Sequence, residues 1–170
     1  MENEKEMPKR THPRLRDYDY SLTGAYFVTI CTHNKKCTLS RIVGRGLAPA
    51  ETNEIEYTSL GEIAERQLLA LKDRYTHLVI DQYVIMPNHI HAILFLRDDA
   101  AGASPRPTLM DIICSFKSLT TRECRKHGFQ EKLFQASFHD HIIRDRADLE
   151  EHLKYICENP LKWTADPLYV

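Results

Sequence analysis

The sequence predicts an α+β protein whose antiparallel sheet is of the ferredoxin-like kind, with helices mainly on one face. Segments of strand and helix character follow in the order β, α, β, β, α, β, α, without the sustained β-α-β alternation of a doubly wound parallel sheet. The 170 residues, 42% hydrophobic and 28% charged, have ordinary globular composition. We therefore expect one domain over residues 1–170, with residues 1–17 a partly ordered polar arm.

The first half of the chain predicts a strand, a loop and a helix. Residues 25–32 are rich in β-branched and aromatic side chains and run into a polar turn, which is typical of a strand. Residues 43–57 contain two glycines and a proline with little periodicity, and we expect a loop there. From Ser59 the apolar residues recur at helical spacing, which predicts a helix at about 59–73.

The second half predicts a pair of strands, a helix, an extended segment and a last helix. Residues 77–86 and 89–96 are apolar runs of strand type on either side of Pro87-Asn88. Helical periodicity begins at Leu109 and continues to about residue 128, and residues 134–143 look extended. Asp145 can cap the final helix, which must end at Asn159-Pro160 because proline lacks the amide hydrogen of the helical ladder.

Charge and cysteine content narrow the functional class. The net charge of −1 neither favours nor excludes a nucleic-acid partner, although residues 1–16 and 106–132 are locally basic. The five cysteines are odd in number and have no C-x-x-C spacing, so we expect reduced thiols in a cytosolic protein. No apolar run reaches about 18 residues, and the charged start does not resemble a secretory signal, which predicts a cytoplasmic protein without a membrane partner.

Two H-x-H pairs are the first candidate chemical feature. Alternate residues of a strand face the same side, so His89 and His91 point together while Ile90 packs on the opposite face. Two adjacent imidazoles can clamp a metal, and a third oxygen ligand would suit Mg²⁺ or Mn²⁺. His139 and His141 form the second pair. Such pairs also occur as ordinary half-buried histidines, and this alternative stays open.

The predicted last helix carries the second candidate feature. Tyr155 and Asn159 are four residues apart and share a helical face, which His152 flanks. The alternatives are that Tyr155 is an amphipathic packing residue and that Asn159 only ends the helix.

Together these motifs resemble the HUH single-tyrosine transposases, and most closely their REP-associated branch. The resemblance is carried by MPNHIH at residues 86–91 and YICENP at residues 155–160, and it extends over about residues 12–165. The chain departs from the family pattern at Phe134 and His139, where relatives often carry tryptophan and an aromatic residue. Further similarity lies at residues 15–20, 24–29, 115–118 and 140–144.

The resemblance implies a metal-dependent transposase and endonuclease. His89, His91 and Asn159 would hold one Mg²⁺ or Mn²⁺, with no nucleotide cofactor. Tyr155, on a catalytic C-terminal helix, would attack the scissile phosphate and form a 5′-phosphotyrosine intermediate. A base must take the phenolic proton, and His152 is one candidate.

The resemblance also implies partners and a place of action. The partner would be single-stranded or hairpin DNA, the assembly a homodimer, and the site of action the nucleoid in a bacterial cytoplasm. The expected phosphate-contacting residues are Arg14, Arg16, Lys117, Arg122 and Arg125.

Two other functions are compatible with the same residues. One is a regulator that binds hairpin DNA on this fold without cleaving it. The other is a metal-dependent hydrolase of small phosphate esters. A protein–DNA adduct that survives denaturation would distinguish the transposase from both.

Overall fold

The fold was analysed in a computed structural model that describes residues 19–20, 22–44, 53–98 and 106–170. The predicted arm at residues 1–17 lies outside this part of the chain. The strands and helices, in chain order, are β1 (Gly24–Cys31), β2 (Ser40–Gly44), β3 (Asn53–Tyr57), α1 (Ser59–Leu69), α2 (Leu71–Arg74), β4 (Leu78–Ile85), β5 (His89–Leu96), α3 (Leu109–Lys126), β6 (His139–Ile143) and α4 (Arg146–Glu158), with 3₁₀ turns at His33–Lys35 and Trp163–Ala165.

The main sheet has four strands in the order β4-β5-β1-β6, and all neighbours are antiparallel. If the β2–β3 hairpin is left out, the chain passes through this sheet in the order β-α-β-β-α-β. The first strand of this series, β1, pairs with the third, β5. This is the split β-α-β arrangement of ferredoxin-like folds. The predicted fold class, α+β with an antiparallel sheet, is therefore confirmed.

Helices cover both faces of the sheet, and α4 lies on the face opposite α1 and α3. Ile90 and Leu94 of β5 pack with residues of α1 and α3 in one apolar cluster. Ile93 belongs instead to a second cluster, which contains Ile156 of α4. Because side chains alternate along a strand, His89 and His91 face α4 together with Ile93.

Local sequence signals define where α1, α3 and α4 begin. The Thr58 hydroxyl accepts a hydrogen bond from the Gly61 amide at 3.2 Å at the start of α1. Thr108 and Asp111 form a reciprocal capping box at the start of α3. Asp145 accepts from the Asp148 amide at 2.9 Å and begins α4.

Two predicted segments differ from the structure. Part of the predicted loop at 43–57 is instead strand, because it forms β3 and the end of β2. The two strands pair with each other, with Ile42 opposite Ile55. Ile55 lies between two glutamates, so the hairpin does carry a period-2 pattern, but the pattern is too short to outweigh the nearby glycines and proline. The predicted helix at 59–73 is divided at Ala70 into α1 and α2.

Candidate active site

The turn between β4 and β5 fixes where the first H-x-H pair begins. The Met86 amide donates to the His89 carbonyl at 2.9 Å across this turn. The Pro87 carbonyl accepts from the Leu39 amide at 3.0 Å, and the Asn88 carbonyl accepts from the amide of Thr32 at 2.9 Å. These bonds attach the turn to neighbouring segments, so His89 enters β5 from a fixed position.

His89 and His91 are adjacent and buried, with ring centroids 4.4 Å apart. His89 Nδ1 lies 2.8 Å from Asn88 Oδ1, and His91 Nδ1 lies 2.9 Å from Thr29 Oγ1. The Asn88 amide nitrogen donates to the Leu168 carbonyl at 2.8 Å, so its oxygen is the acceptor for His89. His89 therefore carries its proton on Nδ1 and directs a lone pair from Nε2.

Burial keeps both imidazoles neutral. It lowers the pKa of His89 to about 4, although the negative charge of Asp166 acts in the opposite direction. Burial, followed by electrostatic repulsion from His89 and His152 in their protonated forms, holds the pKa of His91 well below its ordinary value. Neutral imidazole is the form that binds metal ions, so these two side chains are competent ligands at neutral pH.

Helix α4 brings Tyr155 and Asn159 to the histidines. The Tyr155 ring lies 5.2 Å from the His91 ring, centroid to centroid. Asn159 is buried, and its amide nitrogen donates to Asp166 Oδ2 at 2.9 Å. The Tyr155 hydroxyl donates to the same carboxylate oxygen over a longer distance of 3.4 Å. The residues predicted to form the site are therefore brought together.

Three buried polar atoms of this site have no hydrogen-bond partner within the described part of the chain: Nε2 of His89, Nε2 of His91 and Oδ1 of Asn159. An unpaired buried polar atom costs about 1–3 kcal/mol, so three of them at one place require an explanation. Two imidazole nitrogens and an amide oxygen form a donor set that fits a divalent cation.

Asp166 was not among the predicted site residues. One of its carboxylate oxygens and one ring nitrogen from each of His89 and His91 lie within 4.8 Å of one another. Asp166 follows the 3₁₀ turn Trp163–Ala165, which returns the chain toward the sheet after Pro160. The sequence contained no periodic signal for this return, because the segment is neither a helix nor a strand.

Tyr155 is both partly buried and accessible. Burial, followed by the negative charge of Asp166, raises the pKa of the Tyr155 phenol, whereas the Asn159 hydrogen bond lowers it. The side chain is nevertheless 39% exposed, and it borders a cavity of about 310 Å³. The phenol is therefore protonated at neutral pH and reachable by a substrate. The cavity is lined by Phe27, Thr29, His91, His139, Glu151, His152, Tyr155 and Leu168.

The predicted basic residues have different environments. Arg122 and Arg125 line a groove of about 880 Å³ between α3 and residues 130–136, together with Lys132. The Lys117 ammonium also borders this groove, but it donates to the carbonyls of Gln135, Ala136 and Ser137, the second at 2.8 Å. Lys117 thus organises a loop. Arg14 and Arg16 lie outside the described residues.

Two general expectations from the sequence concern membranes and thiols. None of the helices in the described ranges combines the length and apolar character of a membrane span. All five cysteines lie within these ranges and are free thiols.

Comparison with solved structures identifies the architecture. A structure of a REP-associated tyrosine transposase bound to a REP hairpin superimposes with a TM-score of 0.60 at 20% sequence identity, over 88% of this chain and 74% of that one. The chain has the fold of a REP-associated tyrosine transposase. The fold that the motif resemblance implies is thus confirmed.

Two sequence relatives come from the same organism. An uncharacterized protein of Haemophilus influenzae is 29% identical over 172 residues, which is 92% of this chain and 91% of that protein. A protein of the same organism named "Putative REP-associated tyrosine transposase" is 32% identical over 84 residues, 46% of this chain and 47% of its own length. No protein-family model matches the chain.

Proposed function

We propose that this chain is a transposase that cleaves and rejoins single-stranded DNA near hairpins, with Tyr155 as the nucleophile. One observation carries the proposal. On this fold, an accessible tyrosine adjoins three buried polar atoms without partners in the described chain, from His89, His91 and Asn159. A nucleophile beside a cation-binding donor set is the arrangement that phosphoryl transfer requires.

The donor set assigns a role to each ligand residue. His89 and His91 would hold Mg²⁺ or Mn²⁺ through Nε2, because each Nδ1 is engaged with Asn88 or Thr29. Asn159 adds its amide oxygen, and its amide nitrogen stays bonded to Asp166. When bound, the cation neutralises negative charge that develops on the scissile phosphate in the transition state.

Tyr155 supplies the covalent step. Its phenolic oxygen attacks phosphorus, the bond from phosphorus to the 3′ oxygen breaks, and the departing strand takes up a proton as a free 3′-OH. The resulting 5′-phosphotyrosine conserves the bond energy, so attack by a 3′-OH rejoins the DNA. Asp166 accepts the Tyr155 hydrogen bond at 3.4 Å, so its carboxylate is positioned to take the phenolic proton. His152, the other candidate base, lines the cavity that Tyr155 borders, but its Nδ1 is engaged with the Asp148 carbonyl oxygen at 2.8 Å.

The basic groove beside α3 is the proposed contact surface for hairpin DNA. Arg122, Arg125 and Lys132 line it, and guanidinium groups suit phosphate contacts. The similar solved transposase is bound to a REP hairpin, which supports a hairpin as the partner of this chain. Binding should weaken with rising salt, and Arg122→Ala should reduce the slope of log affinity against log salt by about one unit.

A homodimer is a further part of the proposal. Strands β4 and β6 lie at the two edges of the main sheet, where a second copy could pair. Light scattering at micromolar concentration, with and without DNA, tests it. A mass of one chain in both conditions would contradict the dimer and leave the chemistry of the site unaffected.

The decisive experiment looks for the covalent intermediate. The full chain is mixed with Mn²⁺ or Mg²⁺ and labelled single-stranded oligonucleotides drawn from the flanks of its own gene. We expect a protein–DNA adduct that survives denaturation and maps to Tyr155. Tyr155→Phe should abolish the adduct while hairpin binding persists, and Tyr169→Phe, which removes the hydroxyl of another exposed tyrosine, should retain it.

Each other outcome identifies a different function. Hairpin binding without any adduct would indicate the non-cleaving regulator. Metal-dependent hydrolysis of small phosphate esters, unaffected by Tyr155→Phe, would indicate the hydrolase. An adduct mapped to a different tyrosine would overturn the assignment of α4 as the catalytic helix.

A further inference from the structure

A second histidine cluster lies at the junction of β6 and α4, formed by His141, Asp148 and His152. His141 Nε2 is 2.9 Å from Asp148 Oδ2, and His152 Nδ1 is 3.1 Å from Asp148 Oδ1. His152 Nδ1 also lies 2.8 Å from the Asp148 carbonyl oxygen. The three side chains offer ligand atoms that all lie within 4.8 Å of one another.

This second histidine cluster is distinct from the histidines of the candidate active site. Among the described residues, the ligand atoms that lie within 4.8 Å of one another form two groups, one with His89, His91 and Asp166 and the other with His141, Asp148 and His152. The Phe27 ring contacts both groups, with its centroid 5.0 Å from that of His91 and 4.6 Å from that of His152. The His141 and His152 rings are stacked 4.6 Å apart, and His152 also lines the cavity that Tyr155 borders.

The geometry and charge of the cluster suit a cation. Adjacent ligand atoms around a first-row cation with bonds of about 2.1 Å lie about 3.0–3.4 Å apart. The observed separations of 2.9 Å to Asp148 Oδ2 and 3.1 Å to Asp148 Oδ1 are close to this range, and one ligand atom from each of the three residues lies within 4.8 Å of the others. The His141 hydrogen bond holds the pKa of the Asp148 carboxyl below its usual range. The carboxylate is therefore anionic at neutral pH and supplies negative charge to a cation.

The fold fixes the central ligand and leaves room for the others. The Arg144 amide donates to Asp148 Oδ2 at 3.0 Å, which holds the carboxylate in place. Asp148 and His152 are one turn apart on α4 and share a face. The His141 side chain is 47% exposed, so its ring can turn toward an ion and water can fill the remaining coordination positions.

We propose that the second histidine cluster binds one late transition-metal cation of the Zn²⁺ class, through His141 Nε2, the Asp148 carboxylate and His152 Nδ1. Two imidazoles and one carboxylate favour such a cation over Mg²⁺, which prefers oxygen ligands. On binding, the cation replaces the hydrogens that the two rings direct at Asp148, and each neutral ring carries its proton on its other nitrogen. The bound ion would join edge strand β6 to the helix that carries Tyr155.

The test uses the full chain with His89→Ala and His91→Ala, so that the candidate active site cannot contribute. Co²⁺ is added and followed by its visible absorption, and Zn²⁺ by calorimetry. We expect one equivalent of each ion to bind. Loss of an outer-shell partner weakens metal binding about 10–100-fold. Adding His141→Ala should weaken binding by more than this, because it removes a ligand. Asp148→Asn should do the same.

His127→Ala is the matched control. His127 is also exposed and lies 3.7 Å from one carboxylate, that of Glu123, but no second histidine of the described part of the chain completes its site. His127→Ala should leave Co²⁺ and Zn²⁺ binding unchanged. If His141→Ala leaves binding unchanged, or if His127→Ala weakens it equally, the cluster is only a hydrogen-bonded ion pair.

A second format keeps the test valid if the double histidine variant does not fold. In the otherwise wild-type chain, His141→Ala should lower the number of bound Zn²⁺ ions by one. An unchanged number would overturn the proposal. This result is independent of the covalent-adduct experiment, so each proposal can fail without the other.

Discussion

The two faces of the main sheet have different compositions, although the same strands form both. On the face toward α1 and α3, Leu94 of β5 packs with Ile113 and Phe116 in an apolar core. On the face toward α4, the same strand presents His89 and His91. Side-chain alternation along β5 therefore separates residues that stabilise the fold from the proposed metal ligands.

The helices on the two faces differ in the same way. Six residues of α3 are buried, among them Ile112 and Phe116. Within α4, all of which the structure describes, Ile156 is the one buried residue. Fewer buried apolar side chains mean a lower local opening free energy, so α4 should open before α3. A helix that carries the proposed nucleophile and opens readily could admit DNA without unfolding the core.

The largest expected effect comes from removing the histidines of the α4 face. If the proposed function is correct, His89→Ala with His91→Ala should lower cleavage at least about 1,000-fold, because the cation proposed to stabilise the transition state would be lost. Calorimetry should show one fewer bound Mn²⁺ ion. The variant should remain folded, because removing two unpaired buried nitrogens with the rings offsets part of the cost of the cavity left behind. Unchanged Mn²⁺ binding would contradict the ligand assignment.

Ile90, which lies between those histidines in the sequence, tests the opposite face of the sheet. Ile90 is fully buried and faces α1 and α3. Ile90→Ala should lower the free energy of unfolding by about 2–5 kcal/mol, because it leaves a cavity in the core. Denaturant unfolding measures this loss, and Mn²⁺ stoichiometry in the folded variant should be unchanged. A loss of Mn²⁺ binding in folded protein would show that the two faces are not independent.

Sequence patterns predicted the parts of the site that lie on regular elements. Strand alternation placed His89 and His91 on one side, and helical spacing placed Tyr155 and Asn159 on one face. Asp166 could not be predicted in this way, because it follows the helix end and reaches the site only when the chain folds back. Its position depends on tertiary contacts, such as the hydrogen bond of 2.9 Å that the Asn159 amide nitrogen donates to its Oδ2.

The same limit applies elsewhere in the chain. Charge alone marked Lys117 as a DNA contact, whereas its ammonium donates to backbone carbonyls of the loop before β6. The direction of a long side chain depends on which acceptors the fold places nearby. The β2–β3 hairpin was missed because a short two-stranded ribbon offers few alternating positions.

Asp166→Asn should have an intermediate effect on the α4 face. The substitution keeps the shape and removes the negative charge near the histidines, so Mn²⁺ affinity should fall about 10–100-fold. The negative charge of Asp166 raises the pKa of Tyr155, so the same variant should lower that pKa. Calorimetry measures the affinity, and ultraviolet absorption of tyrosinate against pH measures the shift. An unchanged affinity would place Asp166 outside the metal environment.

The smallest expected effects come from removing the N-terminal caps of α3 and α4. Thr108→Ala removes the capping box of α3 and should lower the global free energy of unfolding by about 1 kcal/mol. Asp145→Ala removes the equivalent cap of α4, where the side chain accepts from the Asp148 amide at 2.9 Å. Because α4 is expected to open separately, Asp145→Ala should accelerate amide hydrogen exchange within α4 and leave the most protected amides of β5 unchanged. Thr108→Ala should accelerate exchange in β5 as well, because α3 belongs to the core. Equal acceleration of β5 exchange by both variants would show that α4 unfolds only together with the sheet, and the two faces would then form one cooperative unit.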